Sequence, residues 1–205
     1  MVKDRPKTLA DPDAKRERLA QLSRAHIAPL TRFVRNLRRR TRLGPDIPYF
    51  DPLDGGVGAS CLFLFEAPGP KAVETGFVSR NNHDESARNF FELSHRAGLP
   101  RQRTVLWNIV PWYVGGGGRI RAASRADIAA GRTHLARLLP LLPQLRVVVL
   151  SGRKAQVVAP WLEATAPRLR ILTMPHTSPQ FVNRAKGNRQ KLLRALRRVV
   201  HAMKK

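Results

Sequence analysis

The chain has 205 residues, which is enough for one α/β domain with a core of its own and too few for two. Its 38 Lys and Arg residues against 14 Asp and Glu residues give a formal net charge of +24, far outside the usual range of small-molecule enzymes. Because basic residues recur through the whole chain and the apolar runs are too short to span a membrane, we expect a cytoplasmic, nucleoid-associated protein that binds nucleic acid rather than a membrane.

An amphipathic helix is predicted over residues 11–42, where apolar residues recur at three- and four-residue spacing and Arg and Lys occupy the other faces. Pro29 should kink or split this helix. We therefore predict a basic helical extension over residues 1–43, followed by an α/β domain over residues 44–205. The arginine-rich end of the helix is either a solvated face or a contact for DNA phosphates.

A loop rich in turn-forming residues follows at 44–58. Asp51 and Asp54 within it have the look of a catalytic carboxylate pair. However, Asp-Pro and Asp-Gly pairs are more simply turn residues that cap their own backbone, and we favour that interpretation.

The next stretch, A-S-C-L-F-L-F-E-A-P-G-P, contains an apolar run without alternation that ends at Glu66. Such a run is typical of a central parallel strand, and the proline-glycine turn after it can continue neither a strand nor a helix. Cys61, the only cysteine, lies inside the run and is expected to be a small buried hydrophobe. Glu66 is then either a solvated strand end or a functional carboxylate, since ligands of open α/β sheets bind at the carboxyl ends of the strands.

The rest of the chain alternates between helical and extended patterns. Helices are predicted over 84–97, 124–139 and 187–203, strands over 104–109, 146–150 and 170–174, and a flexible loop at the glycine run 115–118. Strands separated by helices imply a parallel sheet with helices on both faces. The predicted fold is therefore a three-layer α/β/α sandwich around a four-stranded parallel sheet.

Several residues near the strand ends are candidates for binding or catalysis. Asn108 either reads the hydrogen-bonding edge of a ligand or satisfies a neighbouring loop, because an unpaired amide is costly in an apolar strand. Phe77, a lone aromatic in a polar loop, either fills the core or stacks on a planar ligand. His176 follows the fourth strand at the same sheet edge as Glu66. Ser151-Gly152-Arg153-Lys154 combines a small-residue turn, a helix start and two cations, as phosphate sites do.

Four motifs occur in the order F-E-A-P-G, W-N, L-S-G-R-K-A and H-T-S-P, with G-F-V-S between the first two. Together they resemble the motifs of the uracil-DNA glycosylase superfamily over residues 50–199. The resemblance implies a DNA glycosylase that hydrolyses the N-glycosidic bond of uracil, or a related deaminated base, and so initiates base excision repair. It implies single- or double-stranded DNA as the partner, no obligatory protein partner, and neither a cofactor nor a metal.

The resemblance also implies roles for individual residues. Glu66 helps to position the attacking water, Asn108 pairs with the polar edge of the base, and His176 stabilises the departing base as an anion. The base is bound by Ala67, Pro68, Phe77 and Asn82, with Phe77 stacking on the ring. The DNA backbone is contacted by Ser151, Gly152, Arg153, Lys154, Ser178, Gln180 and Arg184.

The chain departs from the family pattern at several positions. Ala67 stands where the most active branch has a water-activating Asp, and the four cysteines of the cluster-bearing branches are absent, which indicates a cluster-free, divergent branch. Thr177 replaces a Pro, and Gln180-Phe181 stand where a Leu wedge is usual. If Glu66 points away from the pocket, the residues left to orient the water are Asp84, Glu85, Asn81 and Asn82. The alternative functions are a non-catalytic nucleic-acid-binding protein on a glycosylase scaffold and an RNA-associated basic protein.

Overall fold

The computed structural model describes residues 4–116 and 121–204. Its strands are β1 (Tyr49–Phe50), β2 (Cys61–Phe65), β3 (Phe77–Val78), β4 (Thr104–Asn108), β5 (Val147–Ser151) and β6 (Arg170–Met174). Its helices are α1 (Pro12–Ala20), α2 (Ala28–Thr41), α3 (Pro70–Thr75), α4 (Glu85–Arg96), α5 (Arg125–Leu138), α6 (Arg153–Gln156), α7 (Ala159–Thr165), α8 (Pro179–Val182) and α9 (Asn188–Ala202). The glycine loop predicted at 115–118 lies partly outside the described residues.

The central sheet has the strand order β4-β2-β5-β6, and each neighbouring pair is parallel. β2 and β5 are the inner strands and are buried on both faces, which explains why their apolar runs do not alternate. Helix α9 packs on β5 and β6 and against α4, while α6 and α7 contact β2, β5 and β6. The predicted three-layer α/β/α sandwich with four parallel strands is confirmed.

The helical segment predicted over 11–42 is split into two helices, α1 and α2, which is one of the two alternatives predicted for Pro29. Pro29 lies in the first turn of α2, where its missing N–H leaves no helical hydrogen bond unmade, so it starts a helix instead of kinking one. The apolar face of α2 is buried in the same core as the central sheet. Its buried residues are Leu30, Thr31, Val34 and Leu37. Helix α2 thus shares its core with the sheet. The domain boundary at residue 43 stays a prediction.

A buried ion cluster links α1 to the segments that precede β2, follow β3 and precede β4. Its members are Arg18, Asp51, Asp54, Arg80 and Arg101. Arg101 contacts both carboxylates, through Nη2 to Asp51 at 2.7 Å and through Nε to Asp54 at 2.9 Å. Asp51 also accepts the Leu53 N–H at 2.9 Å, as predicted for a turn residue, but the turn interpretation misses the ion pairs. Burial opposes ionisation of Asp51, yet Arg101 and Arg18 outweigh it and hold the pKa of that carboxyl at about 2.

Cys61 is fully buried in β2, and burial raises the pKa of its thiol, so it is the inert hydrophobe that the sequence predicts. In the described part of the chain, no helix has the length and apolar character needed to cross a bilayer.

Candidate active site

A cavity of about 370 Å³ opens at the carboxyl ends of the central strands. Phe65 at the end of β2, Asn108 at the end of β4 and His176 just after β6 all line it. Parallel strands bring these ends to one edge of the sheet, as the sequence predicts. Of the other expected base-binding residues, Ala67, Pro68 and Asn82 also line this cavity.

The side chain of Asn108 is 3 % exposed and lines the cavity. Around it the backbone is held in place, since the N–H groups of Ile109 and Val110 donate to the carbonyls of Phe65 and Glu66 at 2.8 and 2.9 Å. Among the described residues, none donates to or accepts from the Asn108 side-chain amide. Although the residue as a whole is buried, its amide atoms are not among the enclosed polar atoms without a partner, so they are open to the cavity. An amide in that position is suited to a ligand with complementary donors and acceptors.

His176 has its ring orientation set by a backbone contact. Nδ1 accepts the Ser178 N–H at 3.1 Å, so in the neutral ring the proton sits on Nε2. Burial lowers the pKa of His176, against opposing contributions from Glu66 and Asp84. The ring packs edge-on against Phe65, with centroids 5.9 Å apart. The cavity wall therefore carries a neutral imidazole that is a hydrogen-bond donor through Nε2.

The segment that carries His176 is tied to α4 through the next residue. Thr177 donates its hydroxyl to the Ser86 carbonyl at 3.0 Å, and its own carbonyl accepts from Asn89 Nδ2 at 3.0 Å. On its other side the segment abuts Gly152, where a Cβ would lie 3.2 Å from His176 Cβ. Gly152 also has a φ of +86°, which favours glycine. The imidazole is thus held from both sides.

Glu66 does not line the cavity. Its Oε1 accepts the Ala123 N–H at 2.6 Å, just before α5, and Lys154 donates to the Ala123 carbonyl at 2.9 Å. This carboxylate therefore braces the loop that precedes α5.

Among the described residues, Asp84 is the one acidic residue that lines the cavity. One of its oxygens caps α4 by accepting the Ala87 N–H at 2.9 Å. Its charge also acts on His176, where it partly offsets the lowering of the pKa by burial. The other residues proposed to orient the water are committed elsewhere. Glu85 pairs with Lys7 at 2.5 Å, and Asn81 donates to Asp4 at 2.9 Å.

Asn82 lines the cavity, but its amide serves the protein itself. Nδ2 donates to the Phe77 carbonyl at 2.9 Å, and Oδ1 accepts the Thr75 hydroxyl at 2.8 Å. Both polar atoms are therefore engaged in holding the 75–82 turn, which leaves Asn82 as a structural part of the wall.

Phe77 is not in the cavity, which corrects the expectation that it stacks on a base. It is fully buried in a second, smaller cluster with Leu9 and Leu22, and Tyr49 packs against it. Of the two alternatives, the structure places it in the core. The phenylalanine rings that line the cavity are those of Phe65 and Phe90, which meet edge to face with centroids 5.7 Å apart. Phe90 could have been found only from the amphipathic pattern of α4.

Arg80 is a cavity residue that no sequence motif indicates. It is 3 % exposed, and its guanidinium lies over the Phe90 ring at 5.3 Å. Nη2 donates to the Thr104 hydroxyl at 2.7 Å, and the group belongs to the buried ion cluster. Arg80 thus connects the cavity wall to that cluster.

Of the predicted phosphate-contacting residues, Gly152 and Ser178 lie next to His176. Ser151 is buried at the end of β5, whereas Arg153 and Lys154 are exposed at the start of α6. Ser178 caps α8 by accepting the Phe181 N–H. Gln180 and Arg184 are exposed on and after α8. No group of three or more potential metal ligands occurs in the residues that the structure describes.

A family model described as the uracil DNA glycosylase superfamily matches residues 54–200. The chain belongs to this superfamily. The solution NMR structure of a proposed uracil DNA glycosylase from Methanosarcina acetivorans is similar to this superfamily member at 17 % sequence identity and a TM-score of 0.48, over 73 % of this chain and 94 % of that chain. A search of curated proteins found no match.

Proposed function

We propose that the protein is a monofunctional DNA glycosylase that hydrolyses the N-glycosidic bond of uracil, or of a related deaminated base, in DNA. Family membership supports glycosylase chemistry. The observation that carries the proposal is the Asn108 amide, which is buried in the cavity wall and has no partner within the described chain. An amide offers one acceptor and two donors, and a flipped-out uracil presents complementary groups at its O4 and N3.

The charges that develop during the reaction match the residues of the cavity. Breaking the bond leaves the electron pair on the base, so negative charge grows on its carbonyl oxygens while positive charge grows on the sugar. The His176 Nε2–H is the donor for a base oxygen, and Asp84 is the carboxylate for the sugar. Water then adds to the sugar carbon and gives up its proton to Asp84, which passes it to solvent. The base anion takes up a proton from solvent, so the products are the free base and an abasic site.

The test is single-turnover incubation with oligonucleotides that carry one uracil, followed by alkali cleavage of abasic sites. Single-stranded and duplex substrates are run beside matched thymine controls. His176→Ala is purified in parallel, so that a contaminating glycosylase is detected as activity common to both preparations. Cleavage confined to uracil substrates and to the wild-type protein is expected. Wild-type protein that leaves uracil, hypoxanthine and xanthine intact would overturn the proposal.

The second candidate is a non-catalytic nucleic-acid-binding protein on the same scaffold. It is favoured by the orientation of Glu66, whose carboxylate accepts the Ala123 N–H and does not line the cavity, together with Ala67 in the first motif. The two candidates differ in a single readout. Salt-sensitive DNA binding without any abasic product on the substrates named above would establish the second.

A further inference from the structure

A groove between the edge strand β6 and helix α9 is lined mainly by basic side chains. We call it the β6/α9 groove; its basic residues are Arg170, Lys191, Arg194, Arg197, Arg198 and His201. All six are exposed. The groove has a volume of about 700 Å³, and within the described chain no acidic residue lines it.

The Lys and Arg side chains of this groove have no protein partners, since none forms a hydrogen bond or ion pair with a described residue. The contrast with Arg189, on the same helix, is informative. Arg189 pairs with Glu92 at 2.5 Å and donates to Asn89 Oδ1 at 3.1 Å, both on α4. The face of α9 that meets α4 is therefore neutralised, while the groove keeps five uncompensated charges, four on α9 and Arg170 on β6.

The spacing of these charges suits a phosphate backbone. Lys191, Arg194, Arg198 and His201 follow one another at intervals of three, four and three residues, so they form one stripe along α9. Ten residues of helix rise about 15 Å, which corresponds to about four phosphates of one DNA strand at 3.4 Å each. Arg170 faces this stripe from β6.

The groove extends away from the cavity that we propose for excision. Helix α9 begins near the carboxyl end of the sheet, where Asn188 donates to the Phe181 carbonyl at 2.7 Å. It ends near the amino end, where Arg103 donates to the Met203 carbonyl at 3.0 Å, just before β4. Arg170 is the first residue of β6, about 13 Å from the strand end that leads to His176.

We infer that the β6/α9 groove binds the phosphate backbone of duplex DNA at a site separate from the candidate active site. Such a site holds DNA whether or not a damaged base is present, and it requires no excision activity. Its failure and the failure of the proposed function are therefore distinguishable, because binding is measured on DNA that contains no lesion.

The experiment measures the affinity of the full-length protein for a lesion-free duplex of about 30 base pairs, by fluorescence anisotropy, from about 50 to about 200 mM salt. The test variant carries Arg194→Gln, Arg197→Gln and Arg198→Gln, three exposed positions where glutamine preserves helix propensity. The control carries Arg5→Gln, Arg16→Gln and Arg24→Gln, which remove the same charge from exposed positions in the N-terminal segment. Thermal unfolding checks that both variants are folded.

We expect the slope of log affinity against log salt to become shallower by about 2.7 in the groove variant, since each phosphate contact contributes about 0.9. The control slope should stay at the wild-type value. If the triple variant does not fold, each single variant is expected to change the slope by about 0.9.

Four results would overturn the inference. An unchanged slope in the folded groove variant would remove the groove from DNA binding. Equal losses in the two variants would show that net charge alone decides. Aggregation of the groove variant with an unchanged slope would mean that the cations only protect the edge of β6 from strand pairing. Loss of binding to a poly-glutamate peptide, with DNA binding intact, would assign the groove to an acidic protein segment.

Discussion

Ser178 donates its backbone N–H to Nδ1 of His176, and this contact decides which nitrogen of the neutral ring carries the proton. Because the donor is a backbone group, substitutions at position 178 other than proline leave it in place. The neutral tautomer with its proton on Nε2 is therefore built into the chain that follows β6.

His176→Ala removes this donor while leaving the cavity otherwise intact. We expect the single-turnover rate of uracil excision to fall by about 10²- to 10³-fold, as for loss of one donor that stabilises a developing anion. His95→Ala, at an exposed position on α4, is the matched control and should keep the wild-type rate. A His176→Ala rate within a factor of three of wild type would contradict the assigned role.

The pH profile tests the protonation state of the same ring. Burial lowers the pKa of His176, so the neutral form persists below the ordinary histidine value of about 6.5. Protonation would place a second N–H against the Ser178 N–H and break that contact. The excision rate should therefore be level down to about pH 6.5 and decline only below it. A decline of the excision rate with a midpoint above about pH 6.5 would show that the proton is not excluded from Nδ1.

Asn108→Ala and Asn82→Ala separate a ligand-facing amide from a structural one. Asn108→Ala should reduce excision by at least about 100-fold with unchanged affinity for lesion-free DNA, because no protein hydrogen bond is lost. Asn82→Ala breaks its contacts to Thr75 and Phe77, and should lower the free energy of unfolding by about 1–3 kcal/mol. Urea denaturation and the excision assay, run on both variants, check the pair. A folded Asn108→Ala that excises normally would refute the assignment.

Asp84→Asn and Glu66→Gln rank the two carboxylates near the cavity. Asparagine still caps α4, so Asp84→Asn removes the charge without unravelling the helix start. It should slow excision by about 10²-fold or more, as expected for loss of a group that acts on the reacting atoms. Glu66→Gln keeps an acceptor for the Ala123 N–H and should have a smaller effect. The reverse order would return the water-positioning role to Glu66.

Asp51→Asn tests the buried ion cluster. It leaves Arg18 without its counter-charge and removes one of the carboxylates that contact Arg101, and we expect the free energy of unfolding to fall by about 3–5 kcal/mol. The wild-type carboxyl, with its pKa at about 2 against an ordinary 3.8, stabilises the fold above pH 3.8 and loses that contribution as the pH falls towards 2. Urea denaturation between pH 6 and pH 3 should show a steeper loss of stability in wild type than in Asp51→Asn, in which the other carboxyls with lowered pKa values still titrate. Asp13→Asn, whose pair with Arg16 is exposed, is the control with no expected change.

The parts of the molecule that could be predicted from sequence are those set by burial and chain direction. The unalternating run of β2 and the polar residues after β4 and β6 locate the sheet and its functional edge, because parallel strands place their ends together. The direction of loop side chains could not be predicted, since it depends on distant partners. The Glu66 carboxylate accepts a hydrogen bond from an N–H 57 residues later in the chain. Phe77 packs against Leu9 and Leu22 from the N-terminal segment.

The small sheet of β1 and β3 and the buried ion cluster were missed for a related reason. β1 and β3 have two residues each, too few for any periodicity, and they pair only because the chain returns after α3. Asp51 and Arg101 are 50 residues apart, so local sequence shows a turn where the structure has an ion pair.

At Gly152 the predicted phosphate-contacting loop packs closely against His176. A Cβ at this position would lie 3.2 Å from His176 Cβ, so there is no room for a methyl group without a shift. A shift of the loop by a few tenths of an ångström would therefore also displace the imidazole. If DNA contacts Arg153, as the sequence predicts, the contact would also act on the position of the His176 ring. Glycine at position 152 is therefore what allows the loop and the His176 side chain to lie this close.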